Sequence, residues 1–296
     1  MISVIGDIML DEYIEGVVTR ISPEAPVPIF LEISRRFSLG GAANVACGVA
    51  AMTNNVRGFG VVGVDTDAES VRTLLHRATP NLTALTEHGR RTTKKSRYVV
   101  GGHQLMRVDA EDTSDVSSTV TRRILETVSA QEPSVIILSD YAKGVLTQEL
   151  CHSVIKDRRN RVIVDPKRPD WTRYAGAYLI TPNTEELLLA KQFESLACKE
   201  SEVVRSLMTR HQIANCLVTL GSLGMKLYAE DGSVTHMPAV SRDVVDVTGA
   251  GDTVVAVVAA RTAAGDDLRK AVKVACVAAG IAVTKRGVYT VRKEEL

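Results

Sequence analysis

Apolar and polar positions along this chain follow two periods, and the switch between them marks its elements. Residues 2–6 form a short apolar run that reads as a strand and delivers Asp7 at its carboxyl end. Residues 57–62 read as a second strand, and 65–78 as a capped amphipathic helix. From residue 121 the alternation becomes regular. A helix at 121–130 is followed by a strand at 135–138, a helix near 147–158, and strands at 161–164 and 178–180. A helix from Thr184, a strand at 216–219, a hairpin about Asp231-Gly232 and two helical segments complete the chain. Strand and helix in turn predict an α/β fold, a doubly wound sheet flanked by helices with right-handed crossovers. Ligands of such sheets sit beyond the carboxyl ends of the strands.

Two stretches break the rhythm. Pro23, Pro26 and Pro28 forbid helix across 19–31, and 90–109 is rich in Thr, Val, Arg and Gly and reads as two strands around Gly101-Gly102. The β-rich pieces near 12–34 and 90–108 predict a small β lid on a single domain spanning 1–296. No repeat or linker interrupts the chain.

Composition narrows the class. The chain has 296 residues, 45% hydrophobic and only 4% aromatic, so its core must be mostly Val, Ala, Leu and Ile. That bias suits a parallel sheet buried between helices. A net charge of +1 gives no reason to expect nucleic acid or a membrane surface as partner. Five cysteines (Cys47, Cys151, Cys198, Cys216 and Cys276) contain no CxxC pair and read as reduced thiols. With no secretory pattern at the amino terminus and no apolar run of membrane-spanning length, a cytoplasmic location is expected.

The most informative segment is Asp246-Val247-Thr248-Gly249-Ala250-Gly251-Asp252-Thr253. A β-branched run (Val244, Val245, Val247) enters two glycines and an aspartate, and an aliphatic helical run follows. Glycines let backbone N–H groups approach an anion, and the helix N-terminus adds its positive dipole end. An aspartate in that hole suits a base that takes a proton from a hydroxyl attacking a phosphate. An N-capped helix after a glycine turn would give the same letters. Gly58-Phe59-Gly60-Val61-Val62-Gly63 matches GxGxxG, but its glycines fall inside a strand and no acidic residue ends a second strand some 20 residues on, which excludes a dinucleotide fingerprint. No GxxxxGK[ST] exists, so there is no P-loop.

Other candidates cluster at strand ends. Gly40-Gly41 opens a small-residue helix in which Asn44 can reach a sugar hydroxyl, although tight helix–sheet packing explains the same residues. Asp7 and Asp11 can accept sugar hydroxyls; Asp7 is the more structural of the two, and a solvated loop is the alternative for Asp11. Asn183-Thr184-Glu185-Glu186 is a capping box by spacing, and the same geometry can direct Glu186 toward hydrated Mg2+ and nucleotide phosphates. Thr219, Gly221 and Gly224 form a strand leading into a glycine turn.

The Asp246–Thr253 signature resembles that of the ribokinase (PfkB) family of sugar kinases. Gly6-Asp7-Ile8-Met9-Leu10-Asp11-Glu12-Tyr13, the Arg20–Pro28 piece, Leu138-Ser139-Asp140-Tyr141-Ala142-Lys143-Gly144 and Val164-Asp165-Pro166-Lys167 resemble its heptose-phosphate kinase branch. The resemblance covers essentially the whole chain. It implies a ribokinase-like fold and ATP-dependent phosphorylation, with Mg2+, of the anomeric hydroxyl of D-glycero-D-manno-heptose 7-phosphate. Asp252 would be the base and the backbone of Gly249, Ala250 and Gly251 the anion hole. Asp7, Asp11, Gly40, Gly41 and Asn44 would bind the sugar. Asn183, Thr184, Glu185, Glu186, Thr219, Gly221 and Gly224 would line the ATP site, with Glu186 reaching the metal through water. The substrate's own phosphate calls for a cation, for which Arg107, Lys143, Lys167 and Arg168 stand at motif positions and Arg107 is favoured. The lid would pair two chains into a homodimer. Many relatives carry a nucleotidyltransferase domain after the kinase; this chain stops at Leu296, which implies a stand-alone kinase. Leu39 stands where relatives often have proline. A kinase of the same fold acting on another sugar or nucleoside, and a non-catalytic sensor, are the alternatives.

Overall fold

The computed structural model describes residues 1–78, 81–157, 159–197, 199–240 and 243–296. Arg158, at the end of one predicted helix, and Cys198 lie outside them. The main sheet has nine strands. From one edge these are β13 (Val234–Met237), β12 (Met225–Tyr228), β11 (Asn215–Thr219), β10 (Leu179–Ile180), β9 (Arg161–Asp165), β8 (Val135–Ser139), β1 (Ile2–Gly6), β4 (Val56–Val62) and β5 (Leu82–Thr86). The seven strands β11, β10, β9, β8, β1, β4 and β5 run parallel, and the hairpin β12–β13 closes one edge antiparallel.

Period-2 alternation on the central strands divides the core. Ile2 and Val4 of β1 and Val135 and Ile137 of β8 point to one face. There they meet α1 (Ala42–Met52), α2 (Thr66–Ala78), α7 (Ala250–Ala263) and α8 (Leu268–Ala282). Ile5, Ile136 and Leu138 point to the other face, against α3 (Ser118–Gln131), α4 (Gln148–Lys156), α5 (Thr184–Phe193) and α6 (Glu200–Arg210). With both faces covered, these strands read as continuous apolar runs. Among the described residues, no helix is long and apolar enough to cross a membrane.

The segments expected to form a lid lie in a separate four-stranded sheet in the order β3 (Pro28–Gly41), β2 (Ile8–Ile21), β6 (Lys94–Val100), β7 (His103–Ala110). It is wider than the predicted pieces, because β2 starts one residue after β1 ends and β3 runs straight into α1. Gly41 makes that second junction at φ 62, where a Cβ would lie 2.2 Å from the Asp7 carbonyl oxygen. Strand β5 and helix α6 were not anticipated. The Val244–Val247 run is an exposed loop, tied by Val245 and Asp246 N–H groups to the Val283 carbonyl.

Candidate active site

The carboxyl ends of the parallel strands converge on the first turn of α7. Asp7 follows β1, Tyr141 follows β8, Asp165 ends β9, Asn183 follows β10 and Thr219 ends β11. Asp140, Asp165, Lys167, Asn183, Glu186 and Gly251 line one cleft at this edge.

Gly249 caps α7 at φ 77, a left-handed conformation that glycine adopts without strain, and a Cβ there would press within 3.2 Å of the Asn44 amide. The opening N–H groups of a helix lack intrahelical acceptors. Here the Ala250 N–H returns to the Val247 carbonyl at 3.2 Å. Those of Gly251 and Asp252 have no backbone acceptor outside α7 among the described residues. Of the three expected anion-hole N–H groups, that of Ala250 is thus engaged by the chain itself. Asp252 accepts the Tyr141 hydroxyl on Oδ1 at 2.5 Å and the Asn44 amide on Oδ2 at 2.5 Å. Burial pushes its carboxyl above the ordinary value, the two hydrogen bonds pull the other way, and the charge of Asp11 adds to the rise. The neighbouring Asp165 carboxyl is pushed well up by burial and by the charges of Asp252 and Glu186.

Asp7 is 1% exposed beneath the site, accepting N–H groups of Tyr141 (2.8 Å), Lys143 (3.0 Å) and Val145 (3.0 Å). It anchors the loop after β8. Burial and the charge of Asp140 raise its carboxyl against those three donors. Asp11, on β2, is buried and holds Arg97 at 2.6 Å. Gly40 sits where a Cβ would strike the Asp11 carboxylate at 2.4 Å.

The capping box is real: Asn183 Oδ1 accepts the Glu186 N–H at 2.9 Å and Glu186 Oε2 accepts the Asn183 N–H at 3.0 Å. Glu186 Oε1 still faces the cleft, 3.1 Å from Lys167 Nζ. Thr184 bonds the Thr219 carbonyl at 3.4 Å, while Glu185 lies in the same first turn. Gly221 and Gly224 turn the chain at φ 58 and φ 89.

The cations are placed less simply. Arg107, on the edge strand β7, forks onto Asp109 at 2.8 and 3.0 Å, and Lys143 pairs with Glu111 at 2.8 Å. Arg168 lies 3.6 Å from Asp140. Strand register puts Arg36, Tyr13, Arg97 and Arg107 in one row across the lid, on the face that carries Asp11. Both Arg36 and Arg97 lie over the Tyr13 ring, at 3.9 and 5.1 Å. Arg97 and Tyr141 were absent from the expected site. The register of a four-stranded sheet would have found Arg97; Tyr141 lies in a quoted motif but carries no pattern of its own.

The profile of the pfkB family carbohydrate kinases matches residues 1–295. The chain belongs to the PfkB family. That family is one of carbohydrate kinases. It is 41% identical over its whole length to the bifunctional protein HldE of Gluconobacter oxydans, and 41% identical over 99% of its length to that of Caulobacter vibrioides. It spans 63% and 62% of those two proteins. Solved PfkB kinases share its fold. Ribokinase from Thermotoga maritima superposes with a TM-score of 0.80 at 21% identity, covering 99% of this chain and 97% of that one. Phosphofructokinase-2 from Escherichia coli gives 0.79 at 18%, covering 100% and 97%.

Proposed function

We propose that this kinase transfers the γ-phosphoryl group of ATP to the anomeric hydroxyl of D-glycero-D-manno-heptose 7-phosphate, with Asp252 as general base. The observation that carries the chemistry is Asp252 at the mouth of α7, with both oxygens oriented and its carboxyl raised by burial. The identity to HldE over the full chain and the arginine row facing Asp11 favour the phosphorylated heptose. Asp252 takes the proton from the attacking hydroxyl as the new O–P bond forms and the bond to ADP breaks. The Gly251 and Asp252 N–H groups and the dipole of α7 stabilise the charge on the transferred group. Asn44 and Asp11 orient the sugar, and the lid excludes water. Asn183, Thr219, Gly221 and Gly224 border the nucleotide. The oxygen donors of this cleft suit a hard cation, and Glu186 would hold Mg2+ through water beside the ATP phosphates, where the ion offsets their charge. We place the reaction in the cytoplasm, where ATP is supplied.

Arg107, joined by Arg97, binds the 7-phosphate. Replacing Arg107 with Ala raises KM for the heptose phosphate about 10-fold, the loss of one charge-assisted hydrogen bond, and leaves KM for ATP within about twofold. Steady-state kinetics with each substrate varied checks this; an unchanged sugar KM removes Arg107 from the site.

Two chains pair through the lid. Phe37, Met106 and Val108 lie on the face opposite Asp11, between 40% and 49% exposed, and an uncovered apolar sheet face of this kind calls for a cover. Wild type sediments as a dimer at micromolar concentration, and the Phe37→Glu/Val108→Glu variant as a monomer. A monomeric wild type contradicts the pairing.

A further inference from the structure

Two buried carboxylates hold the loop that follows β8, and that loop presents one side chain to the base. Asp7 takes three of its N–H groups, as described above. Asp140, 3% exposed, accepts the Ala142 N–H at 2.7 Å and the Tyr174 hydroxyl. Ala142 is left-handed at φ 58. Gly144 follows at φ 89, where a Cβ would lie 1.8 Å from the Ser114 carbonyl oxygen. In the loop so held, the Tyr141 hydroxyl donates to Asp252 Oδ1. With Asn44 on Oδ2, the plane of the carboxylate is fixed, and each oxygen keeps lone-pair capacity for a substrate.

We propose that Tyr141 is a positioning residue for phosphoryl transfer: its hydroxyl, set by the Asp7–Asp140 loop, orients Asp252 toward the acceptor hydroxyl and favours its proton-accepting form. The inference rests on Asp252 being the base. The groups that bear on Asp252 can be named from each neighbouring element. Asp11 comes from β2, Asp165 from the end of β9 and the Tyr141 phenol from the loop after β8. Helix α1 offers the neutral amide of Asn44, and its Cys47 thiol is pushed up to about 11 by burial. Tyr289 lines the small cavity behind the carboxylate. Burial and Asp11 raise the Asp252 carboxyl; only Tyr141 and Asn44 lower it. The Tyr141 phenol, itself pushed well up by burial and by Asp252, stays a donor through the neutral range.

The test is kcat/KM for the sugar phosphate against pH. The base must be ionised, so activity rises with pH through its pKa, and the acid limb lies above the ordinary carboxyl value of 3.8. Tyr141→Phe removes a hydrogen bond to the charged form and moves that limb up by about one to two pH units, with KM for ATP unchanged. A lowered plateau with an unmoved limb overturns the inference, because a merely structural role would give that result. 3-Fluorotyrosine at position 141, a more acidic phenol and stronger donor, moves the limb down; an unmoved limb there overturns the inference even where the phenylalanine variant fails to fold. Asp252→Asn run in parallel separates the two claims. Normal turnover in that variant removes the base and Tyr141's role together. An inactive Asp252→Asn beside a Tyr141→Phe enzyme of wild-type pH profile removes only Tyr141.

Discussion

Replacing Asp252 with asparagine lowers kcat by about 10²- to 10⁴-fold, the range for loss of a positioned general base. The change is close to isosteric. The amide oxygen still accepts the Tyr141 hydroxyl, and the first turn of α7 keeps its N–H groups at the mouth of the cleft. What disappears is the ability to take a proton from the attacking hydroxyl. Binding is largely spared, so KM for both substrates stays within a few-fold while kcat and kcat/KM fall together, as expected when an interaction made only in the transition state is lost. Asparagine cannot ionise, so the residual rate also loses the acid limb assigned to Asp252. Steady-state kinetics of the folded variant decides the matter; turnover within tenfold of wild type would mean that another group takes the proton.

Asp7→Ala produces the second large effect, on stability first and activity through it. The substitution relieves the burial of one charge, which favours the variant. Against that it leaves the N–H groups of Tyr141, Lys143 and Val145 without their carboxylate acceptor in a position only 1% exposed. Each orphaned donor costs about 1–3 kcal/mol, so the three together outweigh the relief and the net loss is about 3 kcal/mol. For a chain of this size that lowers Tm by roughly 5 °C. The same loop carries Tyr141, so activity falls at temperatures where the variant is still folded. Calorimetry beside the kinase assay measures both. A Tm within about 2 °C of wild type, with unchanged kcat, would show that the loop does not depend on Asp7.

Much of the fold was legible because its signals are local. Strands buried on both faces read as short aliphatic runs, and β1, β4, β8, β9 and β11 lie where those runs fall. Glycines marked turns where the backbone must be left-handed, as at Gly101-Gly102 between β6 and β7. Helix α6 escaped because it follows α5 directly, with no strand between to keep the alternation, although Val203, Val204 and Leu207 are buried at helical spacing. Strand β5 is an edge strand of mixed Leu, Thr and Ala whose pairing to β4 depends on the sheet rather than on its own sequence. The lid was read too narrow because β2 and β1 are separated by Asp7 alone, and no residue type signals that change of sheet.

In the candidate site, the readable part was again the local geometry that short motifs encode: the Gly249 turn, the place of Asp252 in the first turn of α7 and the Asn183–Glu186 capping box. What could not be read was contact between distant segments. Tyr141 meets Asp252 across 111 positions, and Arg97 meets Asp11 across 86. The place of Asp7 under the loop likewise depends on three N–H groups more than 130 positions away.

The central claim is tested most directly by incubating the wild-type enzyme with ATP-Mg2+ and D-glycero-D-manno-heptose 7-phosphate, beside fructose 6-phosphate, ribose and adenosine. ADP release would be followed and the product examined by phosphorus NMR. The account predicts turnover of the heptose phosphate in strong preference to the others, with a new phosphate coupled to the anomeric proton. Efficient turnover of an unphosphorylated sugar or of adenosine, or a new phosphate at any other carbon of the heptose, would contradict it.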